Sequence, residues 1–146
     1  MKKKHIKILL FIWLFLLIGA CDYGVSSSNA LFIVKNESGV EIIIKPYFEG
    51  YSPSHSWIVL QDGEQIEFNE HVSRGIPSVP PPSKLLADSI VVVFDTNDSI
   101  VHGPQGGASR NILVDENWVM AKKTDHYFEY LYTFTEADYQ EAVRGN

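Results

Sequence analysis

Short segments in which every second residue is apolar recur along this chain, and they constrain its fold more than any other feature. The clearest covers residues 126–134, where one face carries four aromatic residues: Phe128, Tyr130, Tyr132 and Phe134. Because successive side chains of a strand point to opposite sides of a sheet, this pattern predicts a strand with a buried aromatic face. Residues 90–94 form an unbroken apolar run, which predicts a central strand covered on both faces.

Two pairs of shorter segments are predicted to form hairpins. Residues 31–34 and 40–45 flank a turn that contains Gly39, which is typical of strands joined within one sheet. Pro46 cannot donate to a β-ladder, so the strand that precedes it is predicted to end nearby or to lie at an edge.

The second predicted hairpin is centred on Asp62-Gly63, between residues 57–60 and residues 66–68. Asp-Gly between apolar runs is a strong hairpin signal, because the tightest hairpin turns need positive φ at both central residues. Residues 72–84 contain four prolines and predict a stiff crossover from one sheet to another, with a Pro-rich ligand for a partner as the alternative.

The last segment predicts a short C-terminal helix. Residues 135–138 read Thr-Glu-Ala-Asp, a capping-box pattern with a hydroxyl at the cap and a carboxylate three residues later. About seven strands with turn signals between them predict a mainly β fold, a single immunoglobulin-like β-sandwich formed by residues 30–146. A small barrel is the competing architecture.

The N-terminal residues carry a basic head, formed by Lys2, Lys3, Lys4 and Lys7, and an apolar run over residues 8–18. The run is too short for a membrane span, which needs about 20 residues, and is typical of a secretory signal. It ends in Ile18-Gly19-Ala20-Cys21. This ending resembles the lipobox of bacterial lipoproteins, in which the cysteine is acylated and becomes the mature N-terminus.

The resemblance implies a signal peptide over residues 1–20, lipidation of Cys21 and a flexible tether over residues 21–29. Several acyl chains would hold the protein firmly at a membrane. An ordinary cleaved signal and an uncleaved anchor are the alternatives.

Composition limits the remaining 126 of the 146 residues to a single domain of ordinary size. Cys21 is the only cysteine, so an exported domain must be stabilised by its core without disulfides. Removal of the four signal lysines leaves 8 basic and 18 acidic residues, a net charge of −10. That charge argues against a nucleic-acid partner, which requires clustered Lys and Arg.

Tyr51, Trp57 and Trp118 are the candidate ligand-binding residues, because flat aromatic side chains beside polar loops suit sugar rings or protein hot spots. For the two tryptophans, packing in the core is the alternative, whereas Tyr51 is expected to be exposed in its Gly/Ser/Pro loop. Ser89 and Ser99 both follow Asp and precede Ile, as in an acceptor motif of bacterial protein O-glycosylation.

No motif predicts catalysis, a metal or a cofactor. Residues 95–99 begin like a calcium loop, but Ile100 stands where the loop needs Gly. Four histidines lie on separate segments without zinc spacing and are expected in loops or at the surface: His55, His71, His102 and His126. Asp115-Glu116 is a pair of acids of the kind that any acidic chain offers.

The lipobox, the Ser-rich tether and the ending Tyr132-Thr133-Phe134-Thr135-Glu136-Ala137-Asp138-Tyr139 together resemble small lipoproteins of Bacteroidales-type bacteria. The resemblance implies no particular activity. The sequence favours a non-catalytic binding or structural lipoprotein of the cell envelope, at the periplasmic face or surface of the outer membrane, with a glycan or an envelope protein as partner. An envelope-associated hydrolase and an inhibitor or immunity-type lipoprotein are the alternatives.

Overall fold

Eight strands in two sheets and one helix make up the computed structural model, which describes residues 27–52, 56–72, 80–103 and 107–145. The strands are β1 (Ser28–Glu37), β2 (Ile42–Tyr47), β3 (Ile58–Leu60), β4 (Gln65–Val72), β5 (Ser89–Phe94), β6 (Asp98–His102), β7 (Val119–Lys123) and β8 (Tyr127–Thr135). The helix, α1, is Glu136–Gly145, and short 3-10 turns lie at Ser83–Leu85 and Asp115–Asn117.

The alternating pattern of β8 buries one face, as predicted, and this face forms the centre of the core. The Tyr130 ring stacks on Phe32 of β1 with 5.3 Å between ring centroids. Across the sandwich, Phe134 contacts Phe94 of β5 edge to face at 6.3 Å. Such pairs add about 0.5–1.5 kcal/mol to the free energy gained by burial. The predicted mainly β, sandwich-like architecture with a short C-terminal helix is therefore confirmed.

The strand order is β4-β1-β8-β7 in the first sheet and β3-β2-β5-β6 in the second. β1 and β8 are parallel, and the other neighbouring strands of the two sheets are antiparallel. In an immunoglobulin constant-type domain the first two strands share a sheet, whereas here β1 and β2 lie in different sheets. The immunoglobulin-like type is therefore not confirmed.

Both predicted hairpins are wrong, because each turn carries the chain from one sheet to the other. β1 pairs with β4 and β8, while β2 pairs with β3 and β5. The turn between β3 and β4 has positive φ at Gly63 and not at Asp62, so it lacks the geometry that closes a two-residue hairpin.

The two crossings are held side by side by Asn36, which is fully buried at the end of β1. Its Nδ2 donates to the carbonyl oxygens of Val40 at 2.7 Å and Leu60 at 3.0 Å. Its Oδ1 accepts from the backbone N–H of Ser38 at 3.1 Å and from the Ser38 hydroxyl at 2.7 Å. One side chain therefore joins the end of β1, the approach to β2 and the end of β3.

β5 is central in its sheet, as predicted, but only one of its faces is fully covered. Ile90, Val92 and Phe94 are buried, whereas Val91 and Val93 are half-buried on the outer face.

Pro46 lies near the end of β2, as predicted, and pairs only with β5, because the pairing with β3 stops at Ile44. β4 and β5 lie in different sheets, so the Pro-rich connection is a crossover between sheets. Residues 73–79 of it lie outside the described part.

The carboxylate half of the predicted capping box is present at the start of α1. The backbone N–H and the hydroxyl of Thr135 both donate to Asp138 Oδ2, at 2.7 and 2.8 Å. This contact satisfies a backbone donor at the helix start.

β1 begins at Ser28, so the last two residues of the predicted tether, Ser28 and Asn29, belong to the sheet. Cys21 and the predicted signal peptide lie outside the described residues. Within the described ranges, no helix has the length and apolar character needed to cross a membrane.

Candidate ligand-binding surface

Three aromatic side chains that lie within ten residues of each other are exposed. Phe48 is 44% exposed, Tyr51 70% and Trp57 40%, and they are the aromatic members of the exposed large hydrophobic residues of the described chain. We call these three residues the aromatic hairpin surface. Exposed apolar groups that cluster in this way mark binding sites more often than single exposed ones do.

A tight turn fixes two of the three rings. The backbones of Phe48 and Tyr51 exchange two hydrogen bonds of 2.9 Å, and the residues between them, Glu49 and Gly50, have φ values of 50° and 78°. Positive φ at both central positions is the type I′ geometry of a two-residue hairpin. Directly paired residues present their side chains on one side, so Phe48 and Tyr51 share a face.

Asp88 clamps this turn to β5. Its carboxylate accepts from the backbone N–H of Glu49 at 2.5 Å, and its own N–H donates to the carbonyl of Tyr47 at 2.9 Å. Phe48 and Tyr51 therefore stand on a backbone held by several hydrogen bonds, and a preorganised backbone reduces the entropy lost on binding.

Trp57 lies directly before β3 and is oriented by two contacts. Its indole N–H donates to Ser52 Oγ at 3.0 Å, and Lys45 Nζ lies 4.4 Å from the ring centroid. Such a cation–π contact is worth about 0.5–1 kcal/mol at an exposed site. Lys45 forms no salt bridge with the described residues, so its ammonium can still bind a ligand.

An apolar sheet face continues from this surface. Ile43 lies opposite Val59 and Val93, and Val91 lies opposite Val101, all on the outer side of the second sheet. We call these five residues the aliphatic face. Val59 and Val101 are the exposed members.

The candidate O-glycosylation residues both lie on this outer side. Ser89 pairs with Tyr47, and Ser99 pairs with Val93. Both serines are half-buried strand residues, so a sugar on either would cover the same side of the sheet.

Trp118 does not belong to the surface, and its assignment as a candidate ligand-binding residue is wrong. It is 6% exposed, and its indole N–H donates to the carbonyl of Ile112 at 2.9 Å. Its ring contacts Phe32 at 5.9 Å and Tyr132 at 5.5 Å. The alternative interpretation, that it packs in the core, is the correct one for this tryptophan.

A polar cluster that the sequence did not reveal holds α1 against the sandwich. Arg110 forms an ion pair with the buried Asp138, with Nη2 3.0 Å from Oδ2, and also donates to the carbonyl of Thr133. The Tyr132 hydroxyl donates to the carbonyl of Arg110 at 2.9 Å. These bonds use the polar atoms of the cluster for structure, so it is not a free binding site.

His102 is buried, contrary to the expectation that the histidines lie at the surface. It is 1% exposed, and its Nδ1 accepts from the backbone N–H of Ile112 at 3.2 Å. The ring proton is therefore on Nε2, which has no hydrogen-bond partner among the described residues. Burial lowers the pKa of His102 from its ordinary 6.5 to about 4, although the carboxylates of Asp138 and Glu141 act in the opposite direction and the Arg110 guanidinium adds to the lowering.

Acid is expected to destabilise the fold through His102. Between pH 6.5 and 4 the ring takes up a proton in the unfolded chain but not in the folded one, so the free energy of unfolding falls as the pH falls through this range. A pKa difference of this size corresponds to up to about 3 kcal/mol. Urea unfolding from pH 7 to pH 4 measures the loss.

In His102→Asn, the free energy of unfolding should fall less steeply between pH 7 and pH 4, because the contribution of the His102 ring is absent. His126→Asn is the matched control, because His126 is exposed, and it should keep the slope of the unchanged protein. Equal slopes in the unchanged protein and in His102→Asn would contradict the assignment.

The described residues contain no group of three or more His, Cys, Asp or Glu side chains that could hold a metal ion. Residues 95–97 form the turn between β5 and β6, with Ile100 buried in β6. Asp115 and Glu116 lie exposed in a 3-10 turn.

Comparison of the chain with protein-family models, with curated proteins and with solved structures finds no match.

Proposed function

We propose that this protein is a lipoprotein of the bacterial cell envelope, anchored in the outer membrane through acylated Cys21, and that its sandwich is a non-catalytic module that binds a glycan. The lipobox-like sequence and the single cysteine support the anchor. The aromatic hairpin surface supports the binding function.

The observation that carries the proposal is the exposure of Phe48, Tyr51 and Trp57, the first two of which are paired across a hydrogen-bonded turn. Aromatic faces pack against the apolar C–H faces of sugar rings, and the polar edge of Tyr or Trp still reaches water. Lys45 beside Trp57 and the exposed Glu49 at the turn supply hydrogen-bonding groups for sugar hydroxyls. A binding site of this kind needs few polar groups in defined positions.

An envelope protein is the second candidate ligand, and the aliphatic face is the observation that favours it. Val59 and Val101 are exposed on a sheet face that carries three further β-branched apolar residues. Interface cores are depleted in charged residues, and this face contains one charged residue in its centre, Lys45.

Replacement of Tyr51 or Trp57 by Ala should weaken glycan binding by about tenfold or more, since a central aromatic contact typically contributes more than 1.4 kcal/mol. The measurement is binding of the detergent-solubilised full-length protein to a glycan array, followed by titration of the glycans that bind. Both side chains are partly exposed, so thermal unfolding should change little.

Met120→Ala is the matched control, because Met120 is a similarly exposed apolar residue on β7. It should leave glycan affinity unchanged. Equal affinity in all three variants would remove the aromatic hairpin surface from the proposal. Absence of glycan binding, together with in-cell cross-linking of an envelope protein to the aliphatic face, would favour the second candidate.

A further inference from the structure

The aromatic hairpin surface lies on the side of the sandwich at which the chain enters the domain. β1 starts at Ser28 and runs to the crossing held by Asn36, and β2 runs back from that crossing to Tyr47. The hairpin that follows Tyr47 is therefore at the end of its sheet that lies away from Asn36.

Strand pairing and hydrogen bonds to two carboxylates connect this hairpin with the start of β1. Ala30 lies opposite Glu70 in the first sheet, and the carboxylate of Glu70 accepts from the backbone N–H of Ser83. Five residues later, Asp88 holds the aromatic turn through Tyr47 and Glu49. The entry of the chain and the aromatic residues thus occupy the same side.

The proposed anchor limits how far this side can be from a membrane. A fully extended chain from Cys21 to Ser28 spans at most about 25 Å, less than the diameter of a domain of this size. If Cys21 is acylated, the side that carries the aromatic hairpin surface stays within about 25 Å of the bilayer, so the domain cannot stand with this side farthest from the membrane.

The opposite side is acidic. Glu37, Asp62 and Glu136 line one groove of about 480 Å³ beside the crossing at Asn36. Glu49 and Asp88 place carboxylates at the hairpin as well, so the orientation of the domain follows from the length of the tether and not from charge.

The tip of the hairpin distinguishes contact with headgroups from insertion into the bilayer. Glu49 is exposed at the tip, and a carboxylate is costly to bury in hydrocarbon. Tyr and Trp side chains are favoured at the level of the headgroups, where an apolar ring and a polar edge are both accommodated. The residues therefore suit the headgroup layer rather than the acyl chains.

We infer that the aromatic hairpin surface binds the saccharide headgroup of a membrane glycolipid. This inference rests on the proposed glycan binding and on the proposed anchor.

To test it, the full-length lipidated protein with Tyr51→p-benzoylphenylalanine is reconstituted into phosphatidylethanolamine and phosphatidylglycerol vesicles. Separate vesicles also contain lipopolysaccharide or digalactosyldiacylglycerol. After irradiation, mass spectrometry identifies the cross-linked molecule. Glu136→p-benzoylphenylalanine, in the acidic groove, is the matched control.

Cross-links from position 51 to the sugar of a glycolipid, with at least tenfold fewer from position 136, are the expected result. Cross-links from position 51 mainly to phospholipid acyl chains would overturn the inference, because the hairpin would then insert into the bilayer. Binding of free oligosaccharides without glycolipid cross-links would overturn the inference and leave the proposed glycan binding intact. Failure of the unchanged protein to bind either free oligosaccharide or glycolipid vesicles would overturn both.

Discussion

Replacement of Asn36 by Asp is expected to destabilise the protein by about 4 kcal/mol. The side chains have the same shape, but the carboxylate cannot donate to the carbonyl oxygens of Val40 and Leu60. It would place a negative charge against both of them at a fully buried position. Each buried carbonyl left without a donor costs about 1–3 kcal/mol, and a buried, unpaired charge costs more.

Urea unfolding of the two proteins at pH 7 measures this difference. Asn69→Asp is the matched control, because Asn69 is an exposed residue of β4 and the substitution makes the same change of charge. Its effect should stay within about 0.5 kcal/mol. Similar losses for the two substitutions would show that Asn36 does not hold the two crossings together.

Asp138→Ala is expected to cost about 3 kcal/mol. The substitution removes the acceptor of the Thr135 N–H and hydroxyl, and loss of such a cap costs about 1 kcal/mol. It also removes the carboxylate partner of Arg110. Breaking a buried ion pair costs about 3–5 kcal/mol, but here the partly exposed guanidinium can be hydrated, which reduces the loss.

Glu136→Ala tests whether loss of any carboxylate from the first turn of α1 lowers the free energy of unfolding as much as Asp138→Ala does. Glu136 is exposed, so its interaction with the helix dipole contributes only about 0.3–1 kcal/mol. The midpoint temperature of thermal unfolding should therefore fall clearly further in Asp138→Ala than in Glu136→Ala. An equal loss in both would attribute the stabilisation to the helix dipole rather than to the contacts of Asp138.

Local sequence patterns predicted individual strands and the helix well where apolar residues recurred at a single regular spacing. The alternation in β8 and the cap of α1 depend on neighbours within a few residues, and the structure has both. A turn signal such as Gly63 predicts where the chain reverses, but it does not predict with which strand the next segment pairs. Pairing depends on contacts distant in sequence, such as Asn36 with Leu60, and the hairpin predictions failed for this reason.

The candidate site was predictable to the extent that exposure follows from local sequence. Tyr51 lies in a Gly/Ser/Pro loop and is exposed, whereas Trp57 and Trp118 have similar flanking residues and opposite exposures. Phe48 was missed, although Glu49-Gly50 beside it could have indicated a tight turn. Arg110 gave no local signal, because its partner Asp138 lies 28 residues away in the chain. The burial of His102 likewise depends on distant residues such as Phe134, whose ring contacts it at 6.0 Å.

The membrane anchor is tested most directly by mass spectrometry of the N-terminal peptide of the protein purified from bacterial membranes. We expect the mature chain to start at Cys21 and to carry acyl chains on that residue. A mature chain that starts at another residue, or a free thiol at Cys21, would contradict the proposed lipoprotein.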